Sequence, residues 1–596
     1  MRKSWIILTG LFAAAGAAVW ILGPGQSHSP THEPPDTSRS SKSAGDRIDS
    51  SLAASSAVAP GPIHFTDVTR NSGVDFVHVS GDSAEKPFPA ANGSGVGAFD
   101  FDLDGQIDLY FLTGTEFPID RARSGPVNRC YRNLGDWQFR DVTVPTGLGD
   151  NGYSAGIAVG DFDADGFPDV FINSFGPHRL FRNSGDGTFI EVGAAAGVDA
   201  DAWGTSAAFL DYDGDGLLDL YVCHYGIWSL ETNRYCGDQA RGVRIFCNPT
   251  TVEPAPHMLF HNEGDGRFRN ASAEAGIASA RGRGQGVVAA DVNGDGRIDL
   301  YVTNDLHPNL LFLNDGDGRF TEIGRESGTA TDFMGRVQAG MGVDAADVNH
   351  DGRLDLFVTN YEGEHNAFYE NLGDDLFQEV SRTRGLAAES IPWVGWGTAL
   401  VDLDLDGWAD VIVTNGHTDN NFHQMGRDSM YEQPPGVWRN EHGRFRFVAG
   451  AAAGSYFATS HVGRGLATAD FDNDGDPDIV IVHQDAPPAL LRNESSPAPQ
   501  SVRLRLIGVI SNREAVGAEI RMNSGNDTLV QNVKGGGSYL SAHDLRQILA
   551  TPGNRAELDL EVRWPSGRRS SLRLPANATE IVIREGEPAE VIVLSR

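Results

Sequence analysis

What the chain lacks narrows its class before any motif is read. Cysteine is scarce, 4 in 596 residues, which excludes a dense disulfide framework and leaves room for one or two bridges. Basic residues are short: 47 Lys and Arg stand against 81 Asp and Glu, a formal charge of −34. That balance argues against nucleic acid or anionic lipid as the main partner and points to cations. No long stretch carries a helical repeat of apolar residues, and after Leu22 no apolar run could cross a bilayer. GxSxG, P-loop and HExxH signatures are missing. Glycine is what abounds: 72 of the 596 residues, against an average usage of about 7%. With 40% hydrophobic residues the chain is no disordered acidic tail; it must turn often.

Arg2 and Lys3 precede an uncharged apolar run from Trp5 to Leu22, closed by Gly23-Pro24-Gly25. Residues 1–25 therefore read either as a cleaved export signal or, at 18 apolar residues, as an uncleaved membrane anchor. Residues 26–61 have the Ser- and Pro-rich composition of a flexible linker. The expected location is extracytoplasmic (secreted, periplasmic or cell-surface), with membrane contact only through the N-terminal segment.

Self-comparison finds D-x-[DN]-x-D-G-x-x-D seven times. Small, apolar residues such as GVGAF precede each copy, and a β-prone run such as LYVTN follows it. In six copies an apolar-aromatic strand ending in Asn, a Gly-rich turn and a Phe-led strand come next, as in LFRNSGDGTFIEV. Each unit thus has four strands joined by short turns. The seventh stops at Asn493 without its Phe-led strand, while Phe65-Thr-Asp-Val-Thr69 stands ahead of the first loop. A ring closed by that N-terminal strand explains both ends and removes exposed edges. The expected fold is all-β: a seven-bladed β-propeller over residues 62–494, followed by a small β-sandwich-like domain over residues 500–596.

The loops are built to gather oxygen atoms. Position 1 is Asp100, Asp161, Asp211, Asp291, Asp347, Asp402 and Asp470; position 3 is Asp102, Asp163, Asp213, Asn293, Asn349, Asp404 and Asp472. Position 5 is Asp104, Asp165, Asp215, Asp295, Asp351, Asp406 and Asp474; position 9 is Asp108, Asp169, Asp219, Asp299, Asp355, Asp410 and Asp478. Gly at position 6 permits a tight turn that brings these groups to one point, and hard oxygen ligands suit Ca²⁺, up to seven ions. An EF-hand would need Glu at position 12, where Phe111, Ile172, Val222, Val302, Val358, Val413 and Ile481 stand instead. Asn293 and Asn349 lower the charge of their loops.

These loops and Phe-led turns resemble the FG-GAP/VCBS-type repeats of integrin α-subunit propellers and secreted bacterial proteins. Beyond them, Asn512-Arg-Glu-Ala-Val-Gly-Ala518, Gly537-Ser-Tyr-Leu-Ser541 and Trp564-Pro-Ser-Gly567 resemble the ASPIC/UnbV domain of the cartilage acidic protein-like family. The resemblance implies Ca²⁺ binding at the matching Asp and Asn positions and an extracytoplasmic setting. Cys236 and Cys247 lie outside the repeat in one insertion, and an oxidising compartment, together with the family's Cys-rich insertion, implies a disulfide between them. Cys130 and Cys223 align with strand residues of other units and read as free thiols.

Alternating connections put the acidic loops on one face and the insertions, residues 224–257 and 415–437, on the other. Trp203, Trp393, Trp396 and His417 fall on that second face, where a ligand is expected, against the alternative that the tryptophans pack between blades. His261, aligned with Arg182 and Leu313, is not read as a metal ligand. The functional expectation is a non-enzymatic binding or adhesion scaffold for an extracellular protein or glycan. The alternatives are a polysaccharide-active enzyme using that face and a subunit of a surface complex.

Overall fold

In the computed structural model, described over residues 62–495, 501–524, 527–551, 558–574, 578–588 and 590–592, each acidic loop joins the first two strands of a four-stranded antiparallel unit, and the second and third units are joined into one sheet where Asp201 and Trp203 pair with Pro177 and Phe175. The first sheet runs Val96–Phe99, Asp108–Phe111, Arg129–Asn133 and Phe139–Asp141. The same order recurs in units opening at Tyr153–Gly160, Asp201–Leu210, Gly284–Ala290, Val343–Ala346 and Gly395–Val401. The last unit supplies Gly463–Ala469, Asp478–His483 and Ala489–Asn493, and Phe65–Asp67 completes it with Phe65 opposite Asn493. Residues 1–61, with the export and linker expectations they carry, lie outside the described residues. Among the described residues no helix is long and apolar enough to cross a membrane.

The first strands follow one another round a closed circuit, that of each unit touching the next and Gly463–Ala469 returning to Val96–Phe99. Their Gly and Ala content is a packing requirement: a Cβ on Gly156 would come within 2.0 Å of the Thr205 carbonyl oxygen, and one on Gly342 within 2.1 Å of that of Trp396. Away from the axis, both faces of a sheet meet a neighbouring sheet, so the second strands are apolar on both sides. Leu109 and Phe111 pack against unit 7, while Tyr110 and Leu112 pack against unit 2. Burying such side chains is worth about 1.5–3 kcal/mol each, and the cores between units are where the ring is held.

The C-terminal region forms two four-stranded sheets, ordered Gln547–Ala550, Ser501–Ile507, Glu580–Arg584, Glu590–Ile592 and Asp527–Asn532, Glu519–Ser524, Asp559–Arg563, Arg569–Arg573. Leu504, Ile520, Leu560, Trp564 and Ile581 fill the space between them. That core is continuous with the one between units 2 and 3, and Val58–Arg596 is one compact unit.

The continuity has a cause. Between Asp527–Asn532 and Gln547–Ala550 the chain leaves the sandwich and threads the ring. Gly535 and Gly536 pair with Ala289 and Val288 of unit 4, and the Gly537 N–H donates to Val287. Val343 of unit 5 donates to the Ser538 carbonyl, Thr398 of unit 6 to the Ser538 hydroxyl, and that hydroxyl to Leu466 of unit 7. Ile157 of unit 2 donates to Leu540, whose own N–H reaches Ser206 of unit 3. Ala98 of unit 1 donates to Ala542, and Val96 accepts from it. Residues 535–542 thus make hydrogen bonds with the first strands of all seven units.

Candidate metal centres and the capped channel

The loop backbone is set by its own side chains. In loop 1 the Asp100 carboxylate accepts from the N–H groups of Asp104 and Gly105 at 3.0 and 2.9 Å, and Asp470 does the same with Asp474 and Gly475 in loop 7. The Gly at position 6 is left-handed in every loop, φ +84 to +103° from Gly352 to Gly166, which a Cβ would disfavour. Position 4 is left-handed as well. It is Gly214 and Gly294 in loops 3 and 4, but Leu103, Ala164, His350, Leu405 and Asn473 elsewhere, with φ between 53 and 60°. This constraint is visible in the sequence only as those two glycines.

Position 9 does more than close a cage. The Asp108 carboxylate accepts from Asn133 N–H at 2.7 Å and from Phe101 N–H at 3.1 Å, tying the loop to the end of the third strand. Equivalent pairs hold Asp169, Asp219, Asp299, Asp355, Asp410 and Asp478. The strand-ending Asn is the other half of the device, with a role the sequence reading left unassigned. Its amide donates to the position 8 carbonyl of its own loop and to the position 2 carbonyl of the preceding loop, as Asn183 does to Pro168 and Phe101. Asn133 reaches back to Phe471, so the staple passes between the last and first units.

The carboxylates converge. Candidate ligand oxygens of Asp100, Asp102 and Asp108 lie within 4.8 Å of one another, as do those of Asp161, Asp163 and Asp169, of Asp402, Asp404 and Asp410, and of Asp211, Asp213 and Asp215. Burial pushes Asp108 and Asp169 up to about 9 and Asp355 to about 8, with backbone N–H donors offsetting part of the effect. Position 1 is raised less, Asp100, Asp161 and Asp211 to about 6, for the same reason. Buried oxygens of Asp102, Asp291 and Asp404 have no hydrogen-bond donor. An all-oxygen donor set with unpartnered buried lone pairs fits a hard divalent cation. His261 stands closer than its alignment suggested, its Nδ1 3.3 Å from oxygens of both Asp213 and Asp219.

The acidic face is covered. Arg503 pairs with Asp470 and Arg563 with Asp291, each at 2.8 Å, while Glu514 accepts from the Asp161 N–H. Residues 501–596 hold thirteen Lys and Arg against eleven Asp and Glu, so the slightly basic sandwich sits on the acidic rim.

The opposite face corrects the ligand expectation for Trp203, Trp396 and His417, all three of which are buried. Trp203 lies among Phe88, Phe175, Tyr225 and Trp228. Trp396 lies under the Arg464 guanidinium and against Tyr539 of the threaded segment, and its indole N–H donates to Gly416. His417 touches Tyr361 and Phe422. Trp393 is only half-buried. The physical reason is that the two insertions fold over this mouth: Phe246 N–H donates to Asp419, Asn421 donates to Arg244, and Lys86 lies over the Phe246 ring. Cys236 and Cys247 are disulfide-bonded within this cap, while Cys130 and Cys223 are free and buried.

Comparison with known proteins agrees with this anatomy. The FG-GAP-like repeat model matches residues 100–172, 161–222, 254–302, 291–358 and 347–413, and the ASPIC and UnbV model matches residues 508–590. Cartilage acidic protein 1 of Xenopus tropicalis is 26% identical over 318 residues, 50% of this chain and 44% of that protein. Its Homo sapiens counterpart is 32% identical over 184 residues, 29% of this chain and 26% of that protein. The chain therefore spans less than half the length of these curated relatives. The solved structure of YCF48 bound to D1 peptide covers 74% of this chain and 99% of its own at 7% identity, with a TM-score of 0.38, too low to carry an argument.

Proposed function

We propose that this chain, which carries FG-GAP-like repeats and a C-terminal ASPIC and UnbV domain, is an exported, calcium-stabilised scaffold that binds an extracellular protein and performs no chemistry of its own. Calcium would be held by positions 1, 3, 5 and 9 of the loops, supplying positive charge where buried carboxylates crowd together. The chain's own residues do the rest: the position 9 aspartates and strand-ending asparagines fix the sheets, and the sandwich locks the ring from inside.

One observation carries the choice of surface and partner. The connections on the face away from the acidic loops expose Ile227, Leu230, Tyr235, Phe333, Met334, Val337, Ile391 and Met430. Large apolar side chains exposed on loops of a rigid frame, with Phe333, Met334 and Val337 on one connection, are the usual makings of a protein contact, and they replace the buried tryptophans as the residues expected to touch a ligand. Export is supported by the basic, then apolar, N-terminus and by the Cys236–Cys247 bridge, which suits an oxidising compartment.

The test is capture of extracellular matrix protein by the immobilised full chain, with and without chelator, against a Phe333→Ala, Met334→Ala double variant. Capture that falls at least tenfold in the variant supports the reading. Capture indifferent to both the variant and the chelator sinks it, and release of shortened glycan would favour the polysaccharide-active alternative.

A further inference from the structure

The seven loops differ in one respect that the metal positions do not explain. The residue just before the strand-ending Asn is Arg132, Arg182, His261, Arg439 or Arg492 wherever position 3 is Asp; of these, Arg492 pairs with Glu494, and in its loop Asp472 accepts instead from the Trp137 indole N–H. Where position 3 is Asn293 or Asn349, it is Leu313 or Glu370, and an arginine stands instead at loop position 7, Arg297 or Arg353.

The contacts give this exchange a meaning. Arg439 donates to Oδ2 of Asp404 and Oδ2 of Asp406, each at 2.6 Å, and Arg132 lies 2.8 and 2.9 Å from Oδ2 of Asp102 and Asp104. The other oxygens of Asp404 and Asp102 are buried without a donor. Asp406 and Asp104 turn their Oδ1 to the backbone N–H of position 7. In loops 4 and 5 the position 7 arginine takes over: Arg297 and Arg353 bond Oδ2 of Asp295 and Asp351 while their Nε donates to the strand-ending Asn carbonyl. In these four loops a guanidinium therefore holds the same oxygen of position 5, reached from strand three or from the loop itself.

We infer that this guanidinium is a positioning residue for the cation. In loops 1 and 6 it fixes the outer oxygens of positions 3 and 5, and in loops 4 and 5 that of position 5, so that an inner oxygen is presented, and it tempers the repulsion among the loop's carboxylates. The inference rests on the calcium reading above. An outer partner of this kind typically contributes 10–100-fold to metal affinity, and an ammonium cannot replace a planar fork that spans two carboxylates.

Loop 6 permits a test, because its position 7 is Trp408, whose backbone N–H donates to Asp406 at 3.0 Å. Terbium(III), an oxygen-seeking stand-in for calcium, is titrated into the chelated full chain with tryptophan excitation, and the emission lost in Trp408→Phe defines the share of loop 6 and of loop 5, whose His350 stacks on Trp408. Arg439→Gln, which touches loop 6 alone, is expected to move the midpoint of the loop 6 part of that share about tenfold higher and to shorten its lifetime, because a released carboxylate admits water. Arg439→Lys is expected to restore neither. An unchanged midpoint and lifetime in Arg439→Gln, or emission with no Trp408-dependent share, overturns the inference while leaving the calcium reading in place. No sensitised emission from any loop overturns both.

Discussion

Each Asn that ends a third strand spends its whole amide on the ring. Asn314 donates to Tyr212 and Ile298 at 2.7 and 3.1 Å and accepts from Gly316, with 2% of its surface exposed. Replacing it by Ala strands two buried carbonyls, each worth about 1–3 kcal/mol when left unpaired. Asn314→Ala is therefore expected to lower unfolding free energy by about 2–4 kcal/mol in a denaturant melt, and a loss under 0.5 would show that water substitutes. Position 4 offers the reverse case. Leu405 holds φ at 53°, a conformation that costs a branched residue about 1–2 kcal/mol. Leu405→Gly is expected to stabilise slightly, by up to about 1 kcal/mol after the extra entropy of glycine in the unfolded chain.

The loops and the threaded segment act as elements, and each has its own pH signature. In the cation-free loop, burial raises Asp108 and Asp169 to about 9, whereas an unfolded Asp titrates near 3.9. The fold then binds more protons than the unfolded chain between these limits, so the loops' contribution is intact below about pH 4 and declines as pH rises toward 9. A bound divalent cation removes the need for those protons. Chelation is therefore expected to lower the melting temperature more at pH 8 than at pH 6, and calcium added to chelated protein in weak buffer should release protons; equal shifts at both pH values would argue that the loops hold no cation. For the threaded segment, Tyr539 is fully buried, packed at a tilt against Trp396, and donates to the Asn92 carbonyl and Gln285. Tyr539→Ala is expected to cost about 3–5 kcal/mol and to raise hydrogen exchange at Ala98, Ile157 and Val343, amides in three different sheets. Exchange confined to one unit would show that the segment does not hold the ring together.

At the scale of the molecule, one channel is filled from the acidic face and capped on the other. The sequence predicts a ring and an appended sandwich, with the ligand expected on the ring's second face. The structure makes the two interdependent: residues 62–494 without the rest are expected to melt earlier and less cooperatively than the full chain in calorimetry, not to survive as an unchanged binding unit. Acid should test the same integrity. Burial holds His78, His224, His483 and His543 down to about 4 and His257 to about 3. Because the unfolded chain binds protons first, near pH 6.5, the stability these groups supply is present above that value and is lost as pH falls toward 4. A cation-loaded melt that is flat across that window would show that the histidines stay solvated.

Repetition made the strands, the acidic loops and the strand contributed by Phe65–Asp67 legible, because seven copies separate what the backbone requires from what one unit happens to carry. The left-handed position 4, the asparagine staple and the arginine that holds position 5 were present in the same copies, but their meaning depends on where an amide or guanidinium arrives in space. The Gly537-Ser-Tyr-Leu-Ser541 motif could be recognised from the chain, yet not its path, since polar residues with small neighbours read equally well as an exposed turn. Local alternation and turn chemistry act over a few residues, and the sequence by itself determined everything that depends on them. What lies inside the ring, which mouth is covered and which aromatic side chains reach solvent depend on contacts hundreds of residues apart, and those only the tertiary structure decided.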